Sequence, residues 1–174
     1  QESHDHVTSS NLAIKGKSIF IFDFDCTLTY SHWFYFIRDF NGWKSKFLEE
    51  LPYYYGCPED AEEKRNNTLQ ILSQKISQFI TTNNNLNKEQ YISKAKSFLF
   101  KEELQLLLHY IMGGKARLLM ICSLIETLIK NGYEIAIASR GFYNDILFLL
   151  AILDSTNNIK MINANHDCTY DANQ

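Results

Sequence analysis

The sequence predicts an α/β fold: a three-layer core with helices on both faces of a parallel sheet, and a helical insert between residues 30 and 112. Three observations predict it. Two short apolar runs, SIFIFDF at 18–24 and YEIAIA at 133–138, have the length and β-rich composition of strands buried in a parallel sheet. Helical patterns alternate with such runs after residue 114, as in βαβ units. Between the first run and that alternating part, residues 30–112 form a block of largely helical patterns interrupted by a polar break.

In order along the chain, QESHDHVTSS at 1–10 is polar and reads as an ill-ordered arm, His4 and His6 included. The chain begins at Gln1 and not Met, so the true start is expected to be absent, processed or replaced. KGK at 15–17 is turn-like and leads into the first strand, and YSHWFYFIRDF at 30–40 is helix-like and strongly aromatic. Pro58 and the acidic residues after it mark a helix start, and that helix brings Leu69, Leu72, Ile76, Phe79 and Ile80 to one face. TTNNNLN at 81–87 is a polar break, followed by two helical stretches, KEQYISKAKSFL and KEELQLLLHYIM. Gly113 and Gly114 form a boundary. KARLLMICSLIETLIKNG is an amphipathic helix stopped by Asn131 and Gly132. FYNDILFLLAIL gives another helix and IKMINA, 159–164, a third candidate strand. The expected division is a core of 1–29 plus 113–174 and an insert of 30–112.

The 174 residues, 45% hydrophobic, suffice for one domain with a substantial core and an insertion. A net charge of −3 without any Lys/Arg block argues against a nucleic-acid partner. The absence of an apolar stretch near membrane-spanning length argues against a membrane segment. Cys26, Cys57, Cys122 and Cys168 lie far apart, in no metal-ligand spacing. This suits a reduced, cytoplasmic protein, with a disulfide-bonded secreted form left open.

The chemistry concentrates at two strand ends. In an open parallel sheet, ligands bind beyond the carboxyl ends of the strands. Asp23 and Asp25 end the first strand, and Ser139, Arg140 and Gly141 follow the second. Taken singly, the DxD triplet reads equally well as a turn, and Ser139 as a helix N-cap. Together they form a more specific pattern. A strand-terminal aspartate can attack phosphorus to give an acyl phosphate. A second carboxyl two residues on can protonate the leaving oxygen and then deprotonate the hydrolytic water. Ser139 and the amides of Arg140 and Gly141 offer donors to phosphate oxygens. Two carboxylates repel a phosphate dianion, and Mg2+ held by oxygen ligands would offset that.

FDFDCTLT and, after the insert, IAIASRG resemble the first and second motifs of the haloacid dehalogenase (HAD) superfamily. The resemblance implies a Rossmann-like core with an α-helical cap at 30–112, and a Mg2+-dependent phosphohydrolase acting through an aspartyl-phosphate on a small phosphorylated substrate. It implies Asp23 as nucleophile and metal ligand. Asp25 would be general acid/base, its main-chain carbonyl also touching the metal. Thr27 would brace the loop and join Ser139, Arg140 and Gly141 on the substrate side. Aspartate at the second position matches the phosphatase branches. The aromatic residues of 30–55, Trp33 and Trp43 among them, suit cap packing more readily than a substrate pocket, and His32 suits a local contact as well as a substrate contact.

The family pattern also asks for a lysine and then an acidic pair. Lys160 lies at the wrong end of its candidate strand for the first of these. Asp167, with Asp171 beside it in HDCTYD, is a candidate third metal ligand although it follows Ser139 too closely for the usual path. The expectation is that the missing motifs lie beyond Gln174. Two other readings stay open: a catalytically inactive HAD-like binding or regulatory module, and a sugar-nucleotide glycosyltransferase using Asp23 and Asp25 as a metal-binding triplet. Substrate identity and oligomeric state are not legible.

Overall fold

The computed structural model describes residues 18–40 and 59–155, with side chains from 65 to 153 in the second stretch. The elements are β1 (Ile19–Asp23), a single wide turn (Phe24–Leu28), α1 (Trp33–Arg38), α2 (Glu59–Thr82), α3 (Lys88–Lys96), α4 (Lys101–Met112), α5 (Lys115–Lys130), β2 (Glu134–Ala138) and α6 (Tyr143–Ser155). Each helix and strand lies in a stretch whose pattern predicts it, whereas the wide turn takes Phe24 out of the expected strand. Leu69, Leu72, Ile76, Phe79 and Ile80 of α2 are all buried, as their common face requires. Asn87 caps α3 by accepting from the Gln90 amide at 2.9 Å. Among the described residues, no helix is long and apolar enough to cross a membrane.

The three-layer Rossmann-like sheet is not what the described residues form. They are mostly helical and contain one two-stranded parallel sheet, β1 beside β2, in the register Ile19↔Glu134 to Asp23↔Ala138. The candidate strand at 159–164 lies outside them, as do Lys160, Asp167 and Asp171. Nor is β1 buried on both faces: Ile19 is 55% and Ile21 68% exposed. An all-apolar run has the same appearance whether both faces are covered or only one, so the pattern overstated the sheet.

The core sits instead among the helices. Phe148 of α6 is fully buried and meets Phe79 of α2 at 5.2 Å and Phe98, just after α3, at 6.1 Å between ring centroids. Tyr91 of α3 is buried with its hydroxyl donating to the Asn144 carbonyl at 2.8 Å, and burial pushes that phenol well above its usual range. The insert helices therefore share one continuous apolar cluster with α5, α6 and β2.

Gly113 is where the chain passes from α4 to α5. Its φ of +75° is a left-handed conformation, and a Cβ there would lie 2.6 Å from Tyr30 Cγ. The same close approach lets Tyr30 and Ser31 donate their amides to the Ile111 carbonyl, at 2.7 and 3.1 Å. The segment leaving the β1 turn is thereby tied to the end of α4.

Candidate functional site

The register of the two strands fixes the site. Asp23 stands opposite Ala138, so the first carboxylate and the SRG segment leave the sheet at the same end, on strands about 4.8 Å apart. There they enclose a cavity of about 490 Å³ lined by Asp23, Asp25, Ser139, Arg140 and Gly141, together with His32, Phe34 and Tyr35. Of the sequence-predicted site residues, these five come together. Thr27 does not line the cavity, and Asp167 lies outside the described residues.

The wide turn after β1 orients the carboxylates. Asp23 accepts from the Phe24 amide at 2.8 Å through Oδ1 and from the Thr27 hydroxyl at 3.3 Å through Oδ2. Thr27 is thus a brace on Asp23. Thr29, buried, closes the turn: its amide donates to the Phe24 carbonyl at 3.1 Å, and its hydroxyl accepts from the Cys26 amide at 3.1 Å. Cys26 takes a left-handed conformation, φ 59°, which carries the next residues back under Asp23. Partial desolvation, reinforced by Asp25 and Asp23, pushes the thiol of the otherwise exposed Cys26 up.

Arg117 of α5 holds the turn from below. Its guanidinium donates to the carbonyls of Thr27 at 2.6 Å, Leu28 at 3.0 Å and Met112 at 3.0 Å. Burial lowers its proton affinity from the ordinary arginine value, and a guanidinium nonetheless stays charged at neutral pH. No sequence pattern singles out this residue, since an arginine in the first turn of an amphipathic helix is ordinarily a solvated charge.

Asp25 is held by α1. Its Oδ1 accepts from the Trp33 amide at 2.6 Å and the Phe34 amide at 3.3 Å, the free donors of the helix start. His32 Nδ1 lies 3.4 Å from the same oxygen. Burial raises the Asp25 carboxyl above its usual range; His32 and the two amides pull it back, and Asp23 adds to the rise. The net effect is a carboxyl that keeps its proton to higher pH than an ordinary aspartate.

Ser139 is not the N-cap of α6. Its Oγ accepts from the Gly141 amide at 3.0 Å, closing a tight turn before the helix, while Phe142 contributes the first helical carbonyl, to Asp145 and Ile146. The turn keeps Ser139, Arg140 and Gly141 at the cavity edge.

The two faces of α1 part the aromatics. Trp33, Phe36, Ile37 and, one turn on, Phe40 point to the core, with spacing i, i+3, i+4, i+7. Trp33 stacks on Phe36 at 5.6 Å and donates its indole N–H to the Asp145 carbonyl at 2.7 Å. The cavity face carries Phe34 and Tyr35. Packing therefore accounts for Trp33, as the sequence favours, but not for those two rings; Trp43 lies outside the described residues.

Among the described residues no group of three or more His, Cys, Asp and Glu side chains is placed to hold a metal ion. The acidic side chains that line the cavity, Asp23 and Asp25, are hard oxygen donors. They fit Mg2+, which commonly takes one or two protein carboxylates and fills its shell with water and substrate phosphate. Comparison of the chain with family models, with curated proteins and with solved structures finds no match in any of the three.

Proposed function

We propose that the cavity is the active site of a Mg2+-dependent phosphohydrolase of HAD type, acting through an aspartyl-phosphate. The observation that carries this reading is the parallel register that sets Asp23 against Ala138, bringing both motifs to one 490 Å³ cavity. An Asp23 carboxylate oxygen attacks the phosphorus, forming the acyl phosphate as the ester P–O bond breaks. Asp25 gives its proton to the departing oxygen, and its carboxylate then removes a proton from the water that attacks phosphorus. That water regenerates Asp23 and releases inorganic phosphate. Ser139 and Arg140 face the transferring group, and Arg140 supplies positive charge against the phosphate oxygens. Mg2+, held by Asp23 and the Asp25 carbonyl, would supply charge neutralisation between the carboxylates and the phosphate.

Support for Asp25 in the acid role is its raised carboxyl and its place in the same cavity as Asp23 and Ser139. Cys26 and Cys122 are free thiols, which accords with the proposal of a reduced, cytoplasmic setting. The proposed partner is a small phosphorylated molecule.

Asp23→Asn tests the reading. The side chain is exposed, so the fold is expected to survive, and magnesium-dependent hydrolysis of p-nitrophenyl phosphate is expected to fall by about 10³-fold or more. Wild-type turnover in a folded Asp23→Asn protein would end the nucleophile assignment.

A further inference from the structure

We infer that the alcohol portion of the substrate carries an aromatic ring, stacked on the wall that α1 presents to the cavity. The inference rests on the phosphohydrolase reading for the identity of the anionic end, and concerns the other end of the same molecule.

An amphipathic helix needs one apolar face, and α1 has it in Trp33, Phe36 and Ile37. The opposite face of a surface helix is ordinarily polar. Here it carries two further rings, Phe34 and Tyr35, both partly exposed and both lining the same cavity as the carboxylates. They belong to a continuous aromatic wall. His32 lies 4.4 Å from Tyr35, Tyr35 5.4 Å from Phe34, and Phe34 5.9 Å from Phe142, which is itself 46% exposed.

Among the described residues, no aliphatic side chain lines this cavity. Its volume, about 490 Å³, lies within the range of sites that enclose whole small molecules and not bare phosphate. With the phosphoryl group at Asp23 and Ser139, the space left is bounded by ring faces and edges. A flat ring enters such a space with offset or edge-on contacts of 4.5–7 Å between centroids, each worth roughly a three- to tenfold gain in affinity beyond its buried area. The substrate class is therefore a phosphate monoester of an aromatic or heteroaromatic alcohol.

The experiment compares equilibrium binding of phenylphosphonate and methylphosphonate, by calorimetry in magnesium buffer, to the wild-type chain and to its Phe34→Ala and Tyr35→Ala variants. Phenylphosphonate is expected to bind about tenfold more tightly to the wild type. That preference should shrink to about twofold in Tyr35→Ala, with methylphosphonate binding unchanged and the melting temperature nearly so, since these rings are outside the core. Equal binding of the two probes, a preference that persists in both variants, or binding of neither probe would overturn the inference. The phosphohydrolase reading fails separately, by Asp23-independent hydrolysis. A chain that hydrolyses phosphate esters through Asp23 yet binds both phosphonates alike keeps the reading and loses the ring.

Discussion

The helical part of the molecule and its sheet are built to different standards of burial. Leu69, Leu72 and Ile76 of α2 are 0% exposed, whereas Ile19 and Ile21 of β1 are 55% and 68% exposed. Burying a Leu or Ile contributes roughly 1.5–3 kcal/mol, so the helices supply most of the stability. The contribution of β1 is positional. It delivers Asp23 to the end of the sheet in register with Ala138, and its outer apolar groups add little to the fold.

The largest effect that tests this contrast is a pair of truncations. Ile76→Ala is expected to lower the unfolding free energy by about 2–5 kcal/mol, because it opens a cavity in the shared core. Ile21→Ala should change it by no more than about 0.5 kcal/mol. Urea denaturation of both variants measures the difference. Equal losses would mean that the outer face of β1 is covered in solution, and the contrast would collapse.

A second test lies within the helical part, at a polar joint between two of its helices. Arg38 of α1 pairs with Asp145 of α6, Nη2 to Oδ1 at 2.8 Å and Nε to Oδ2 at 3.3 Å. The Asp145 side chain is 2% exposed and the Arg38 side chain 35%. Burial raises the Asp145 carboxyl above its ordinary value, and Arg38 holds that rise in check. A raised folded-state value means that the folded chain binds the proton more tightly than the unfolded one. The stability Asp145 confers is then present below its unfolded value and is lost as pH climbs through the folded one. Arg38→Met removes the restraint, so its deficit should be smallest in acid and grow to about 1–3 kcal/mol at neutral pH, less than for a fully buried pair because Arg38 is partly solvated. Denaturation at acid and neutral pH reads it. A deficit independent of pH would assign the role of Arg38 to its packing over Phe142, 5.4 Å away.

The same contrast explains what was legible in the sequence. Every described helix follows from periodicity, because each buries a stripe whose spacing is written in the chain. Asp23, Asp25 and the SRG segment were legible because polar and charged residues stand out at the ends of apolar runs. The extent of the sheet was not, since Ile19, Phe20 and Ile21 have the same hydrophobicity whether covered or bare. Arg117 was hidden for a different reason: its three carbonyl partners, on Thr27, Leu28 and Met112, come together only through tertiary structure. Phe34 and Tyr35 lie between these cases. Once Trp33, Phe36, Ile37 and Phe40 are assigned to the core face, helical geometry leaves 34 and 35 on the other side, and this part of the site was recoverable.

The smallest effect lies in the turn that joins strand to helix. Cys26 is exposed and sits at φ 59°, so replacing it removes no packing and isolates the backbone. Glycine adopts that conformation without the cost of about 1–2 kcal/mol borne by an L side chain, but its greater freedom in the unfolded chain returns roughly 0.5–1 kcal/mol of the gain. Cys26→Gly should therefore raise stability by no more than about 1 kcal/mol. Cys26→Val places a β-branched side chain where such residues are outliers and should lower it by about 1 kcal/mol. The two variants straddle the wild type if the turn is left-handed. Because the Cys26 amide also donates to Thr29 Oγ1, a valine that shifts this turn should slow turnover by displacing Asp23 and Asp25. Valine tolerated as well as glycine, in both melting temperature and rate, would show that the left-handed residue does not set the carboxylates, and that β1 alone positions them.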